Sequence, residues 1–184
     1  GYVGLWDADD ACYTLHAAAG KPQTVGRDLA QFVFGLPEDR VRAVTKDVGG
    51  GFGAKNPLYP EQALVLWTAK KLDRPVSWQS SRSETFLADY QGRGQAADAE
   101  MALDKNGNVL ALRINILADL GAFLGPRGST APNMWRTMGA SVYDLPVVDY
   151  NVRAIHTHNM PTCPYRGAGA PEAVFIIERL FDMA

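Results

Sequence analysis

Apolar positions recur along this chain at intervals that switch several times between the 3.6-residue period of a helix and the two-residue period of a strand. The spacing predicts a helix over 24–34, closed by Leu36 and Pro37. A strand is expected over 41–48, running straight into Gly49-Gly50-Gly51-Phe52-Gly53. Pro60 and Glu61 then open a second helix reaching about residue 72, with Ala63 and Leu64 on its expected apolar side. A short strand should follow over 75–79.

The clearest local signal is a hairpin. Strand-like runs over 96–103 and 109–118 flank a turn at 104–108, where Asn106-Gly107 supplies the positive φ of a tight turn. Residues 129–139 fit either helix or strand. Alternation over 147–158 predicts a further strand, then a loop over 159–170. A last helix starts at Pro171 and places Val174, Ile177, Leu180 and Phe181 on one face. With no internal repeat, this order implies an α+β fold of mixed sheets with flanking helices. The final helix has no capping glycine or trailing proline, so we read the chain as a piece of a longer polypeptide.

Composition narrows the class. A chain of 184 residues is long enough for a well-buried core without staples. Its two cysteines, Cys12 and Cys163, exclude a disulfide framework and an all-cysteine iron-sulfur cluster, which needs about four thiolates. A balance of 18 Lys and Arg against 20 Asp and Glu, net −2, offers nothing to recruit nucleic acid. Hydrophobic residues make up 47%, yet no run approaches the roughly 18 residues of a membrane span. No targeting segment is visible, and we expect a cytoplasmic protein, with the periplasm left open.

Two segments could carry chemistry. Gly49 to Gly53, followed by Ala54-Lys55, would let a ligand approach the backbone and would leave N–H groups free to face an anion. The competing reading is a tight turn that merely needs glycine. The segment lacks the Gly-Lys-Ser/Thr of a P-loop. It does satisfy Gly-x-Gly-x-x-Ala through Gly49, Gly51 and Ala54, so a Rossmann-like nucleotide-binding oxidoreductase domain is an alternative. The second segment, Pro164-Tyr165-Arg166-Gly167-Ala168-Gly169-Ala170-Pro171, feeds a helix N-terminus, where free N–H groups and the Arg166 charge suit an anion. His156 and His158 lie two apart on the expected strand and could face one metal, but no third ligand has useful spacing. Cys163 is either reactive or a small buried residue. Capping and solvation account for Glu61, Glu172 and Glu178.

Taken together, Asp47-Val-Gly-Gly-Gly-Phe-Gly-Ala-Lys55 and Tyr165-Arg-Gly-Ala-Gly169 resemble the molybdenum-binding subunit of the xanthine dehydrogenase, aldehyde oxidase and carbon monoxide dehydrogenase family. The likeness covers residues 1–184 as part of a molybdopterin-binding domain, with a hairpin-rich portion at about 93–120. It implies a molybdenum hydroxylase that oxidises an aldehyde or N-heteroaromatic carbon with water as the oxygen source. The implied cofactor is molybdenum-molybdopterin, with a cytosine dinucleotide form possible. It would be held by Gly50, Gly51, Phe52 and Gly53 and by Arg166, Gly167 and Gly169. Phe52 and Arg166 would approach the metal through backbone, with no side-chain ligand.

The resemblance also implies a substrate pocket at Asn56, Ala168 and Arg136, the last near the family's substrate-orienting arginine. Gly167 stands where a copper-bridging cysteine would be, so a copper-bridged centre is not expected. Asn56 and Ala168 replace the Glu and Phe of purine hydroxylases, which turns the expectation away from xanthine. A family Gln is absent from the region of Ala17 to Gly20, and a degenerate non-catalytic paralogue is the other alternative. The glutamate base would lie beyond Ala184. Partners would be the remainder of the catalytic subunit, an iron-sulfur subunit or domain, in many members an FAD subunit, and a small-molecule substrate.

Overall fold

Tyr13, Leu15 and Ala17 alternate inward along a six-residue strand, and that alternation builds the first of two sheets. The computed structural model describes residues 1–125 and 127–184, which divide into two compact units, Gly1–Asp89 and Tyr90–Ala184.

The first unit holds strands β1 (Tyr2–Asp7), β2 (Cys12–Ala17), β3 (Val41–Val44) and β4 (Val76–Trp78) in the order β3-β2-β1-β4. β1 pairs antiparallel with β2 and β4, and β2 pairs parallel with β3, so the sheet is mixed. Helix α1 (Pro22–Asp28) begins on its proline and continues as a wider, π-type segment, Leu29–Phe34, that ends at Gly35 with φ of 62°. Helix α2 (Pro60–Leu72) buries Gln62, Val65, Leu66 and Ala69. That spacing of three and four defines one helical face. Ala63 packs partly against the core, but Leu64 is exposed, contrary to the expected stripe. Gln62 can be buried because its Oε1 accepts from Tyr59 N–H at 3.1 Å and closes the helix start. Aromatic packing completes this core: Tyr13 lies 4.5 Å from Trp6 and 4.8 Å from Phe34, centre to centre. A short helix α3 (Arg82–Ala88) is set by a reciprocal cap, in which Ser81 Oγ accepts from Glu84 N–H and Glu84 Oε2 accepts from Ser81 N–H.

The second unit is built on strands β5 (Gln95–Leu103), β6 (Val109–Asp119) and β7 (Val148–Ile155), with β5-β6 antiparallel and β6-β7 parallel. The expected hairpin forms at the expected place. Asp104 fixes its turn by accepting from the N–H groups of Asn106 and Asn108 and from Asn108 Nδ2, while Gly107 takes φ of 85°. Leu112, Ile114, Ile116 and Ala118 alternate on the buried face of β6. Trp135 from helix α4 (Thr130–Met138) and Ala173 and Ile177 from helix α5 (Ala170–Met183) join the same core. The segment that fitted either class is therefore a helix. Ala173 takes the inward place that the pattern gave to Val174, which is 37% exposed.

Candidate functional site

β3 stops four residues earlier than its hydrophobic run. Thr45 is the cause: its hydroxyl donates to Ala17 O at 2.7 Å, and its Oγ1 accepts from Ala19 N–H at 3.4 Å. The side chain takes over the partners that a longer strand would have paired. The chain then enters the first glycine loop, where Gly49, Gly50, Phe52 and Gly53 have φ of 65°, 98°, 49° and 100°. Both shoulders of the loop are tied down. Lys55 Nζ donates to Val48 O, Asn56 N–H to Gly53 O at 3.0 Å, Gly20 N–H to Lys55 O at 3.0 Å, and Tyr59 Oη to Ala54 O at 2.8 Å.

Its middle is different. Among the described residues, no protein acceptor takes the N–H groups of Gly49, Gly50 or Gly51. A Cβ on Gly49 would meet nothing within 4 Å, whereas one on Gly50 would come to 2.8 Å from Phe52 Cε2. The Phe52 ring is 56% exposed. Successive peptides in such left-handed turns form a concavity of N–H groups that suits an anion. Asn56 is half-buried, and its Oδ1 lies against Gly20, where any side chain would collide with it.

The second loop is a turn over 166–169 that delivers the chain into α5. Gly167, Ala168 and Gly169 have φ of 89°, 47° and 105°. Ala168 N–H donates to Tyr165 O at 2.6 Å and Ala170 N–H to Gly167 O at 3.0 Å. Glycine is required here for two reasons at once. A Cβ on Gly169 would strike Ala131 O in α4, and one on Gly167 would come to 2.5 Å from Pro171 Cδ. Arg166 and Gly167 are exposed and Ala168 half-buried. Arg166 is itself held through its carbonyl, which accepts from Arg93 Nη2 at 2.6 Å. The positive end of the α5 dipole faces the same turn.

Arg136 sits in the last turn of α4. With Asn133, Tyr150 and Val152 it lines a cavity of about 510 Å³ in the second unit. Burial raises the Tyr150 hydroxyl above its ordinary value. Asp119 closes the connection after β6: burial pushes its carboxyl up, but hydrogen bonds from Asn159 Nδ2, the Thr157 hydroxyl and Gly121 N–H bring it below the usual range.

The remaining candidates resolve into structural roles. β7 ends at Ile155, so His156 and His158 lie beyond the strand, and His156 Nδ1 is 3.1 Å from Gly121 O. Among the described residues no cluster of three His, Cys, Asp or Glu could hold a metal. Cys163 is buried. Glu61 lies in the first turn of α2, Glu172 is ion-paired to Arg93, and Glu178 accepts from the Tyr143 hydroxyl. The nucleotide-binding alternative is corrected. It needs the turn of Gly49, Gly51 and Ala54 to cap a helix directly within a parallel sheet. Residues 54–59 instead run through turn and irregular backbone, α2 starts only at Pro60, and the sheet is mixed.

Comparison with known proteins gives one consistent result. Residues 1–184 match the family model of the molybdopterin cofactor-binding domain. The chain is 32% identical to the carbon monoxide dehydrogenase large chain of Hydrogenophaga pseudoflava, over all of this chain and 23% of that protein. It is 31% identical to the nicotine 6-hydroxylase large subunit of Paenarthrobacter nicotinovorans, over 91% of this chain and 21% of that one. Among solved structures, quinoline 2-oxidoreductase from Pseudomonas putida 86 superposes with a TM-score of 0.94 at 30% identity, covering 99% of this chain and 23% of that one. The chain thus spans under a quarter of the length of these relatives.

Proposed function

The chain belongs to the family of molybdopterin cofactor-binding domains, and from that premise we propose that it is part of the catalytic subunit of a molybdenum hydroxylase. The observation that carries this reading is the first glycine loop: anchored at both shoulders, it leaves the Gly49, Gly50 and Gly51 N–H groups without a protein acceptor. That arrangement fits an anionic group, and a molybdopterin carries dithiolene and phosphate charges. When bound, such a cofactor supplies the two-electron chemistry by which a carbon centre is hydroxylated with oxygen from water.

The chain's own residues hold and orient. The backbone at Gly50, Gly51, Phe52 and Gly53 would hold the cofactor with no side-chain ligand. At the second loop, Arg166, Gly167 and Gly169 contribute backbone and the α5 dipole adds a positive end. Arg136 can donate several hydrogen bonds to an acceptor atom on a substrate, while Asn56 and Ala168 leave room without offering a carboxylate or a stacking ring. These features favour an aldehyde or an N-heteroaromatic substrate over a purine. Gly167 places no thiolate in the second loop, which argues against a copper-bridged centre. Among the described residues, nothing favours the degenerate-paralogue alternative.

The general base, in this proposal, is a glutamate in the remainder of the catalytic subunit. Electrons leave through an iron-sulfur subunit or domain, in many such enzymes onward to FAD, because two cysteines cannot hold a cluster. The cofactor's dinucleotide form, cytosine being one option, belongs to the same proposal. Among the described residues no helix is long and apolar enough to cross a membrane.

The test is dye-coupled oxidation of a panel of aldehydes and N-heteroarenes by the full-length enzyme in ¹⁸O-labelled water. Turnover with label in the product is expected, with xanthine a poor substrate. Cofactor-loaded protein that oxidises none of the panel would contradict the reading.

A further inference from the structure

Gly-X-Gly segments with a side chain at the centre occur three times: Gly51-Phe52-Gly53, Gly92-Arg93-Gly94 and Gly167-Ala168-Gly169. Each time the central residue is in the left-handed region, with φ of 49°, 66° and 47°. That conformation is unfavourable for a residue with a Cβ and persists where the surroundings over-determine it. The first and third segments are the proposed cofactor loops. The second has no assigned role, and it lies against the third.

Backbone contacts set the two strands of chain side by side within the second unit. Gln91 N–H donates to Pro161 O at 3.0 Å, and Cys163 N–H donates to Gln91 O at 2.9 Å. A Cβ on Gly92 would come to 2.8 Å from Tyr165 Cβ, so only glycine permits the approach. Gly94 O accepts from Asp119 N–H at 2.8 Å. Arg93 is therefore fixed on both sides, and its left-handed backbone turns the side chain toward the loop. The guanidinium then makes three contacts. Nη2 donates to Arg166 O at 2.6 Å, Nη1 donates to Glu172 Oε2 at 2.9 Å, and the group stands 5.5 Å from the centre of the Tyr165 ring. The Glu172 side chain is only 10% exposed and lies in the first turn of α5, where the helix dipole favours a carboxylate.

We propose that Arg93 is a positioning residue for the cofactor: its planar fork spans the Arg166 carbonyl and the Glu172 carboxylate, and so fixes the peptide planes over 167–169 relative to the start of α5. The inference rests on the reading of 166–169 as a cofactor-facing loop. Only a rigid fork can hold both acceptors in fixed directions; the point charge of lysine holds one. Arg93 touches neither substrate nor cofactor in this scheme, and acts by ordering backbone that does.

The experiment compares the full-length enzyme with its Arg93→Met, Arg93→Lys and Glu172→Gln variants. It reads hydrogen exchange at amides 166–169 and the pterin and molybdenum retained through gel filtration. Arg93→Met should raise exchange in the loop about tenfold with the β5, β6 and β7 amides unchanged, and should lose pterin several-fold faster. Arg93→Lys should recover part of both, and Glu172→Gln should show a smaller loss. Loop exchange and pterin retention equal to wild type in Arg93→Met would overturn the proposal. Should Arg93→Met fail to fold, the other two variants decide by the same readouts. A fully matured wild type that holds no pterin would instead overturn the cofactor reading, and the exchange comparison would still decide the brace.

Discussion

Left-handed backbone separates two kinds of glycine in this chain. Gly169 has φ of 105°, and a side chain there would strike the backbone of α4, so geometry and packing both demand glycine. Gly49 has φ of 65°, with open space where its Cβ would stand. At Gly49 only the left-handed backbone opposes a methyl, with no clash inside the fold; a ligand pressed against the loop would add a steric one. Gly169→Ala should therefore destabilise the full-length protein by about 2–4 kcal/mol. Gly49→Ala should cost only about 1–2 kcal/mol yet release most of the bound pterin. Chemical denaturation with pterin quantification checks both, and equal stability losses with pterin retained in Gly49→Ala would refute the distinction. Glycine clusters announced these loops in the sequence because few other residues enter that region readily. The left-handed Phe52, Arg93 and Ala168 were not legible, since nothing in their side chains favours it.

At the scale of elements, legibility followed burial on one face. The β5-β6 hairpin, β7 and α5 carry apolar periods long enough to read, and each lies within a few residues of its expected bounds. β1 gave no signal because its buried position is Gly4, where any Cβ would meet the Val65 backbone in α2, and glycine carries no hydropathy. β2 does alternate, but its six residues run into Ala17-Ala18-Ala19, which has no strand preference. Arg93 was invisible for another reason: its partners lie 79 and 73 residues away in sequence.

Asp119 joins the end of β6 to the segment after β7 through three donors. Its folded value lies below its ordinary 3.8. The carboxylate therefore contributes stability that is fully present well above 3.8 and is lost as pH falls through the depressed folded value. The melting-temperature gap between wild type and Asp119→Asn should be constant above about pH 5 and close on acidification below 3.8. A gap that stays constant or widens on acidification would show that the carboxylate is not held this way.

The molecule as a whole comprises two units, each with its own mixed sheet and core and each presenting one glycine loop. Its size would suffice for a self-contained domain, but its relatives are more than four times longer. Under the proposed function the work is distributed: these residues would supply backbone cradles and an arginine facing the substrate, and the base and the electron path would lie in other parts of the enzyme. Everything proposed for this chain depends on the glycine loops holding a molybdopterin. The most direct measurement is molybdenum and pterin content of the purified, fully matured full-length protein, alongside a variant carrying alanine at Gly49, Gly50 and Gly51. Stoichiometric molybdenum and pterin are expected in the wild type, with strong depletion of both in the folded variant. Neither molybdenum nor pterin in the wild type, or undiminished content in the variant, would contradict it.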